Sequence, residues 1–383
     1  MSFPVVRLNE EGMREGMQIE SVNISIDDKV RLLDALSATG LESIVVGSFV
    51  SPKYTPQMAQ IEELLKRFTP APGVRYLALA LNQRGKERAA EFTPPLSPSP
   101  YPPSTLVHLC DTFIRRNANM TQQQEIDRWP EIVTRAVESG APKAGIALGA
   151  AWGSNFSGHR SEGERIDIIA RQHALWDDAG IPVTFLALAD PMSWCMPDEV
   201  ESTLSRVLER WPGITEFHLH LHDARAMALP SIYAALRVLD SRHTLFLDVT
   251  FGGIGGCPYC GNGRATGMAA TEDVVNMLEN MGISTGVKID RLIDAVWLLE
   301  DVLQRATPGH VSKAGPLPRS ADQFYDPNLP LIETHAEAEH FKLGPAVAAH
   351  QMRPWREPIP APDLREPASV TEESGLVSGG IAR

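Results

Sequence analysis

A (β/α)8 barrel followed by an irregular, proline-rich C-terminal extension is the fold this sequence predicts. Three observations carry it: eight short apolar or β-branched runs, helical segments between them in place of hairpin turns, and a span of about 285 residues for the eight repeats, near the ~250 residues typical of such barrels. A doubly wound open sheet usually has fewer strands in one domain.

The strand runs lie at about 4–8, 43–47, 75–81, 105–109, 144–148, 183–188, 216–221 and 244–248. Ser25, with Asp28 three residues on, opens a helix that stops before Gly40. Thr55-Pro56 opens a second, whose Met58, Ile61, Leu65 and Phe68 share one face. A short third helix, about 84–92, runs into TPPLSPSPYPP (93–103), which is too rich in proline for a helix and reads as an exposed, stiff connection. Helical patterns return at roughly 121–139, 161–179, 196–210, 224–239 and 271–282. The barrel domain is accordingly 1–305, residues 306–365 are an irregular extension wrapping the barrel or a neighbouring subunit, and 366–383 are a mostly disordered tail.

Composition narrows the function. With 383 residues, 43% of them apolar, the chain builds a sizeable core. No apolar stretch approaches the ~18–20 residues of a membrane span, and the N-terminus lacks a signal-peptide pattern, so a soluble, cytoplasmic protein is expected. The 48 acidic residues outnumber 35 basic ones, net −13, with no dense basic run, which argues against a nucleic-acid partner. Four cysteines fit a reducing compartment and are too few for a disulfide framework.

Chemistry concentrates in three places. In Glu216-Phe-His-Leu-His-Leu-His-Asp223, strand alternation puts His218, His220 and His222 on one face and Phe217, Leu219 and Leu221 on the other. The greasy face packs under helices, so the imidazoles enter the barrel, the last nearest the C-terminal rim. Neighbouring imidazoles about 6–7 Å apart along one strand face suit a divalent ion, although hydrogen-bonded core histidines would give the same pattern. Glu10-Glu-Gly-Met-Arg-Glu-Gly-Met-Gln18, at the exit of the first strand, offers an oxygen ligand, an oxyanion stabiliser in Arg14 and a positioning amide in Gln18. Phe251 to Arg264 carries six glycines between 252 and 263, as active-site lids do. Cys257 and Cys260 form C-x-x-C there. Zinc would want a second pair and a thioredoxin-like motif would open a helix, so a single reactive thiol on a lid is the preferred reading.

At these residues the chain resembles the 3-hydroxy-3-methylglutaryl-CoA (HMG-CoA) lyase branch of the DRE-TIM metallolyases. Glu10-x-Gly-x-Arg14-Glu15-Gly-x-Gln18 is similar to the family's E-x-G-x-R-D-G-x-Q, and Ser48-Phe-Val-Ser-Pro-Lys53 to its second-strand loop. Phe113-x-Arg-Arg-Asn-x-Asn119, His220-x-His222-Asp223, Gly255-Gly-Cys-Pro-Tyr259 and Ala270-Thr-Glu-Asp273 follow in the family's order. The resemblance implies a divalent metal, Mg2+ or Mn2+, held by Glu15, His220 and His222. It implies Arg14 as stabiliser of a developing enolate, Cys257 as the lid thiol in proton transfer, and Gln18 beside them. Glu10, Ser48, Asp190 and Asp223 would surround the substrate, Asp190 serving equally well at a helix entry. Trp194 and Cys195 would shape the pocket, and Arg115, Arg116 and Asn117 would meet the CoA phosphate or pantetheine. The acids Glu272 and Asp273 need serve only a helix dipole.

Glu15 stands where the family has Asp, and Val45 where it has an acid on strand two. The family's metal-binding asparagine aligns with Met268, leaving nearby Asn262 as the expected substitute. Trp152 to Gly158 replaces a Cys-Pro-Tyr-containing loop, which points away from HMG-CoA itself. The implied activity is metal-dependent carbon–carbon cleavage of a 3-hydroxy-3-substituted acyl-CoA, HMG-CoA-like or citramalyl-CoA-like, by a homo-oligomer, dimer or larger. The rivals are a citramalate- or isopropylmalate-synthase-like condensation of an acyl-CoA with a 2-oxo acid, an aldolase on a free hydroxy-oxo acid, and a non-catalytic ligand-binding barrel.

Overall fold

The computed structural model describes residues 2–261 and 267–324. The chain divides into two compact units, Met1–Leu317 and Pro318–Arg383. In the first, eight parallel strands form the barrel: β1 Val5–Glu10, β2 Ser43–Ser48, β3 Arg75–Leu79, β4 Ser104–His108, β5 Ala144–Gly149, β6 Val183–Asp190, β7 Glu216–Leu221 and β8 Thr244–Val249. They hydrogen-bond in the order β3-β2-β1-β8-β7-β6-β5-β4. Between β3 and β4 a single parallel bridge, Tyr76 to Leu96, stands in for a ladder. Leu96 is therefore buried, and Tyr101 turns in to stack on His218 with ring centroids 5.1 Å apart. The proline-dense stretch 93–103 is thus more than an exposed connection, because Leu96 closes on β3 and Tyr101 fills space inside the barrel.

The helices α1 Ile26–Ser37, α2 Ile61–Arg67, α3 Gln83–Ala90, α4 Asp111–Ala118, α5 Gln122–Ile126, α6 Trp129–Glu138, α7 Glu162–Asp178, α8 Pro197–Arg210, α9 Ala228–Val238, α10 Thr271–Asn280, α11 Ile289–Leu303 and α12 Val311–Ala314 follow the strands. Local chemistry sets their ends. Ser25 Oγ accepts from Asp28 N at 3.0 Å, and capping boxes at Thr121/Gln124 and Ser161/Glu164 open α5 and α7. Two expected helices are broken. The apolar face Met58, Ile61, Leu65, Phe68 is buried as read, but a 3-10 turn at Pro56–Met58 precedes α2. The stretch expected as one helix over 121–139 is α5 and α6, with α4 before them, because Pro130 restarts the helix in its first turn. Among the described residues no helix is long and apolar enough to cross a membrane.

Strand alternation produces two chemically different surfaces. Phe217, Leu219, Leu221, Leu245 and Leu247 are at most 1% exposed and face the helices, each contributing about 1.5–3 kcal/mol of burial. Inside, Phe185, His218, Phe246 and Tyr101 form an aromatic layer. One step along, the register places Asn9 beside Asp248 and Asp248 beside His220, a polar layer nearer the C-terminal rim.

Residues 306–317 belong to the first unit. Asp273 accepts from His310 N and Val311 N, and Trp297 Nε1 donates to Ser312 O at 2.7 Å. Asp273 and Glu272 therefore do more than favour a helix dipole: they latch this strap to α10 and to the glycine loop. Of the second unit the structure describes 318–324, with a 3-10 turn at Ala321–Gln323. The remainder of the expected extension to 365 and the tail 366–383 lie outside the described residues.

Candidate active site

At the C-terminal rim, β7 delivers two imidazoles and the loop after β1 delivers a carboxylate. Ligand atoms of Glu15, His220 and His222 all lie within 4.8 Å of one another. His220 Nε2 and His222 Nε2 are 3.3 Å apart, and His222 Nε2 is 3.5 Å from Glu15 Oε1. The ring tips converge further than their spacing along an ideal strand predicts, because β7 ends at Leu221 and His222 has left the ladder, its backbone bridged to Met268.

A carboxylate with two imidazoles is a hard-to-borderline oxygen and nitrogen donor set, suited to a divalent ion. His220 fits that use in detail. Its Nδ1 meets Asp248 Oδ2 at 2.8 Å, which leaves the Nε2 lone pair aimed at the cluster in the neutral ring. Burial lowers the proton affinity of His220, but the Asp248 carboxylate more than offsets this and the net shift is upward. Asp248 also takes His218 Nε2 and Asn9 Nδ2 at 2.8 Å each. Burial alone would raise Asp248; the two imidazoles outweigh it and hold the carboxyl well below the usual carboxylate range.

Arg14 sits between two acids. Its Nε donates to Glu11 Oε2 at 2.7 Å and its Nη1 to Glu15. Burial opposes the charge, yet Glu11 and Glu15 together keep the guanidinium protonated. Burial in turn raises Glu11, against the pull of Arg14. The turn Gly12–Gly16 that presents Arg14 and Glu15 is a single π-helical turn packed tightly on the glycine loop: a Cβ on Gly12 would meet Phe251 Cδ1 at 2.2 Å.

Glu10 ties these two loops. One carboxylate oxygen accepts from Gly12 N at 2.8 Å and Phe251 N at 3.0 Å, and the other from Thr271 Oγ1 at 2.5 Å. Burial pushes its pKa up to about 7 despite those donors. Gln18 Nε2 donates to Gly256 O at 3.3 Å, another tie to the glycine loop, on which Cys257 is half-buried. Ser48 is buried at the end of β2. Asp190 Oδ2 accepts Cys195 N at 2.7 Å, while its buried Oδ1 has no hydrogen-bond partner. Asp223 Oδ1 accepts Ala228 N at 2.8 Å and so holds the entry of α9. Trp194 Nε1 donates to Asn155 Oδ1, and Cys195 is fully buried. Arg115, Arg116 and Asn117 lie exposed on α4. Arg115 pairs with Asp111, and Arg116 Nε donates to Tyr259 O at 3.0 Å. Asn262 lies outside the described residues.

Sequence reasoning missed Asp248, Glu11 and Asn9. Asp248 had a visible signal, as the lone acid in the otherwise apolar Leu-Phe-Leu-Asp-Val run. Glu11 had none, because its role depends on the turn that folds Arg14 back onto it.

Behind the rim, Glu272 Oε2 accepts Gly252 N at 2.9 Å, and its buried Oε1 has no partner. Burial, then repulsion from Asp273, raise its pKa to about 8, against the Gly252 N–H and the Lys313 charge. The unfolded chain releases this proton near pH 4.5 and the native one near 8, so stability falls as pH rises across that window. Glu272→Gln is expected to raise the Tm by a few degrees at pH 9, with the gain vanishing at pH 4. A calorimetric series over that range checks it.

Known proteins resemble this chain over most of its length. The chain is 32% identical over 309 residues to the hydroxymethylglutaryl-CoA lyase YngG of Bacillus subtilis, covering 80% of this chain and 97% of that protein. It is 32% identical over 320 residues to the (R)-citramalyl-CoA lyase of Chloroflexus aurantiacus, covering 79% and 93%. A solved HMG-CoA lyase from Acinetobacter baumannii, in complex with coenzyme A and 3-methylmalate, superposes with a TM-score of 0.66 at 30% identity, covering 85% of this chain and 98% of that one. The HMGL-like family model matches residues 5–298, and the chain belongs to the HMGL-like family.

Proposed function

We propose that the protein is a divalent-metal-dependent carbon–carbon lyase that cleaves a 3-hydroxy-3-substituted acyl-CoA of the HMG-CoA or citramalyl-CoA kind. The observation that carries the reading is the convergence of Glu15, His220 and His222 next to a protonated Arg14, at the rim and beneath a glycine loop bearing Cys257. Glu15, His220 and His222 would hold Mg2+ or Mn2+. When bound, such an ion supplies Lewis acidity that lowers the pKa of the substrate hydroxyl. Loss of the hydroxyl proton turns that oxygen into a carbonyl, the adjacent C–C bond breaks, and its electron pair passes to the thioester as an enolate. Arg14, with fixed charge, meets the enolate oxygen. Cys257 returns a proton to the enolate carbon, giving a shorter acyl-CoA and an oxo acid. Asp248 orients His220, and Glu10 and Gln18 keep the first loop and the glycine loop in register. Arg115, Arg116 and Asn117, exposed on α4, would meet the CoA portion. All four cysteines are free thiols, which supports a reducing, cytoplasmic setting.

Incubating the protein with Mn2+ and either HMG-CoA or citramalyl-CoA is expected to yield acetyl-CoA and an oxo acid without release of free thiol. Thiol release from acetyl-CoA and a 2-oxo acid, with no cleavage in the first mixture, would make it a condensing enzyme instead.

A further inference from the structure

Cys257 and Cys260 stand at the two ends of one tight turn. Cys260 N donates to Cys257 O at 3.2 Å, the bond of a β-turn whose end Cα atoms lie within about 7 Å. A disulfide spans Cα separations of roughly 4.4–6.8 Å. The turn is clamped on both sides, by Arg116 Nε on Tyr259 O at 3.0 Å and by Asn155 Nδ2 on Cys260 O at 3.1 Å. Contact with Cys257 pushes the Cys260 thiol up, and burial adds to that. The two sulfurs differ in access. Cys257 is half-buried, whereas Cys260 is sealed among Cys110, Phe113, Ala150 and Met192 and donates to Pro191 O at 3.1 Å. Cys110 is engaged elsewhere, its sulfur accepting from Ser154 Oγ at 3.0 Å.

We propose that Cys257 and Cys260 are a modification site: a reversible intramolecular disulfide, formed with low-molecular-weight disulfides of the glutathione class. The Cys257 thiolate attacks one sulfur of the oxidant, whose S–S bond breaks and releases one thiolate. Cys260 then attacks the Cys257 sulfur, and its proton passes to the second thiolate as that leaves. Two protein thiols are oxidised and one small disulfide is reduced to two thiols. Formation of the bond does not depend on the lyase reading. Its consequence does: a bonded Cys257 has no proton to return to an enolate, so turnover stops until a thiol reopens the pair.

The test uses the full chain without substrate, treated with oxidised glutathione, capped with N-ethylmaleimide and mapped by peptide mass. The expected result is a peptide containing 257–260 that lacks two hydrogens and carries no label, and that takes two labels after dithiothreitol. In Cys260→Ser, or Cys260→Ala should the first variant fold poorly, the expected product is a stable glutathione adduct on Cys257, with reduced-state activity retained. Two labelled thiols after oxidation, a lasting adduct on Cys257 of the unmodified sequence, or a link to Cys110 would each overturn the proposal. An absence of turnover in reduced protein counts against the lyase reading alone, since the peptide map is read without it.

Discussion

His220→Ala and His222→Ala are each expected to lose bound Mn2+ and to lower kcat by about a thousandfold or more. Removing a ligand withdraws a Lewis acid worth several kcal/mol in the transition state, at about 1.4 kcal/mol per decade of rate. The two imidazoles approach within 3.3 Å, so neither can be replaced by the other. Asp248→Asn separates the ligand from its support. It keeps the shape but substitutes an amide for the carboxylate on His220 Nδ1, and the expected cost is about 10- to 100-fold in metal affinity. Metal analysis of the purified variants beside kinetics checks both. Unchanged metal content in the two alanine variants would remove Glu15, His220 and His222 as a ligand set.

Arg14→Lys is expected to lower kcat by roughly 100- to 1000-fold, the typical cost of one lost oxyanion donor, with little change in KM. The guanidinium donates from Nε to Glu11 and from Nη1 to Glu15 at once. A lysine ammonium is a point charge on a flexible stem and cannot present that fork. One ammonium cannot reach both acids as the guanidinium does, so a buried carboxylate, Glu11 or Glu15, loses its charge-assisted hydrogen bond and the Tm should fall. Pairing the substitution with Glu11→Gln removes one of those charges and should recover much of the Tm without recovering kcat. A double variant that regains activity would mean that Arg14 acts through folding and not at the enolate.

The strand face of β7 was legible because period two leaves one outcome: with Phe217, Leu219 and Leu221 under helices, the histidines enter the barrel. The start of α1 was legible from its Ser25 cap, whereas α4, opened by the Cys110 sulfur accepting from Phe113 N, was not read as a helix at all. Nor were the pieces of the 121–139 stretch legible, since each is short and its apolar spacing continues across the break. Glu10 reads in sequence as one acid of a polar loop. In the fold it is committed to Gly12, Phe251 and Thr271, partners up to 261 positions away. The proline stretch 93–103 misled in the same way, because the partners of Leu96 and Tyr101, Tyr76 on β3 and the rings of Phe185, His218 and Phe246, come together only once the strands are assembled.

The sequence by itself determined the eight-fold β/α alternation, the inward face of β7 and the two glycine-bearing loops beside it. Periodicity, capping chemistry and glycine's conformational freedom all act within a few residues of chain. The family resemblance implied Glu15 beside the two histidines; only the tertiary structure decided how closely their ligand atoms converge, that Asp248 and Glu11 are the charges beside His220 and Arg14, and that the turn carrying Cys257 and Cys260 is clamped. Those outcomes depend on burial and on charges brought together from distant strands, and neither the dielectric environment nor the neighbour of a side chain is set by its place along the chain.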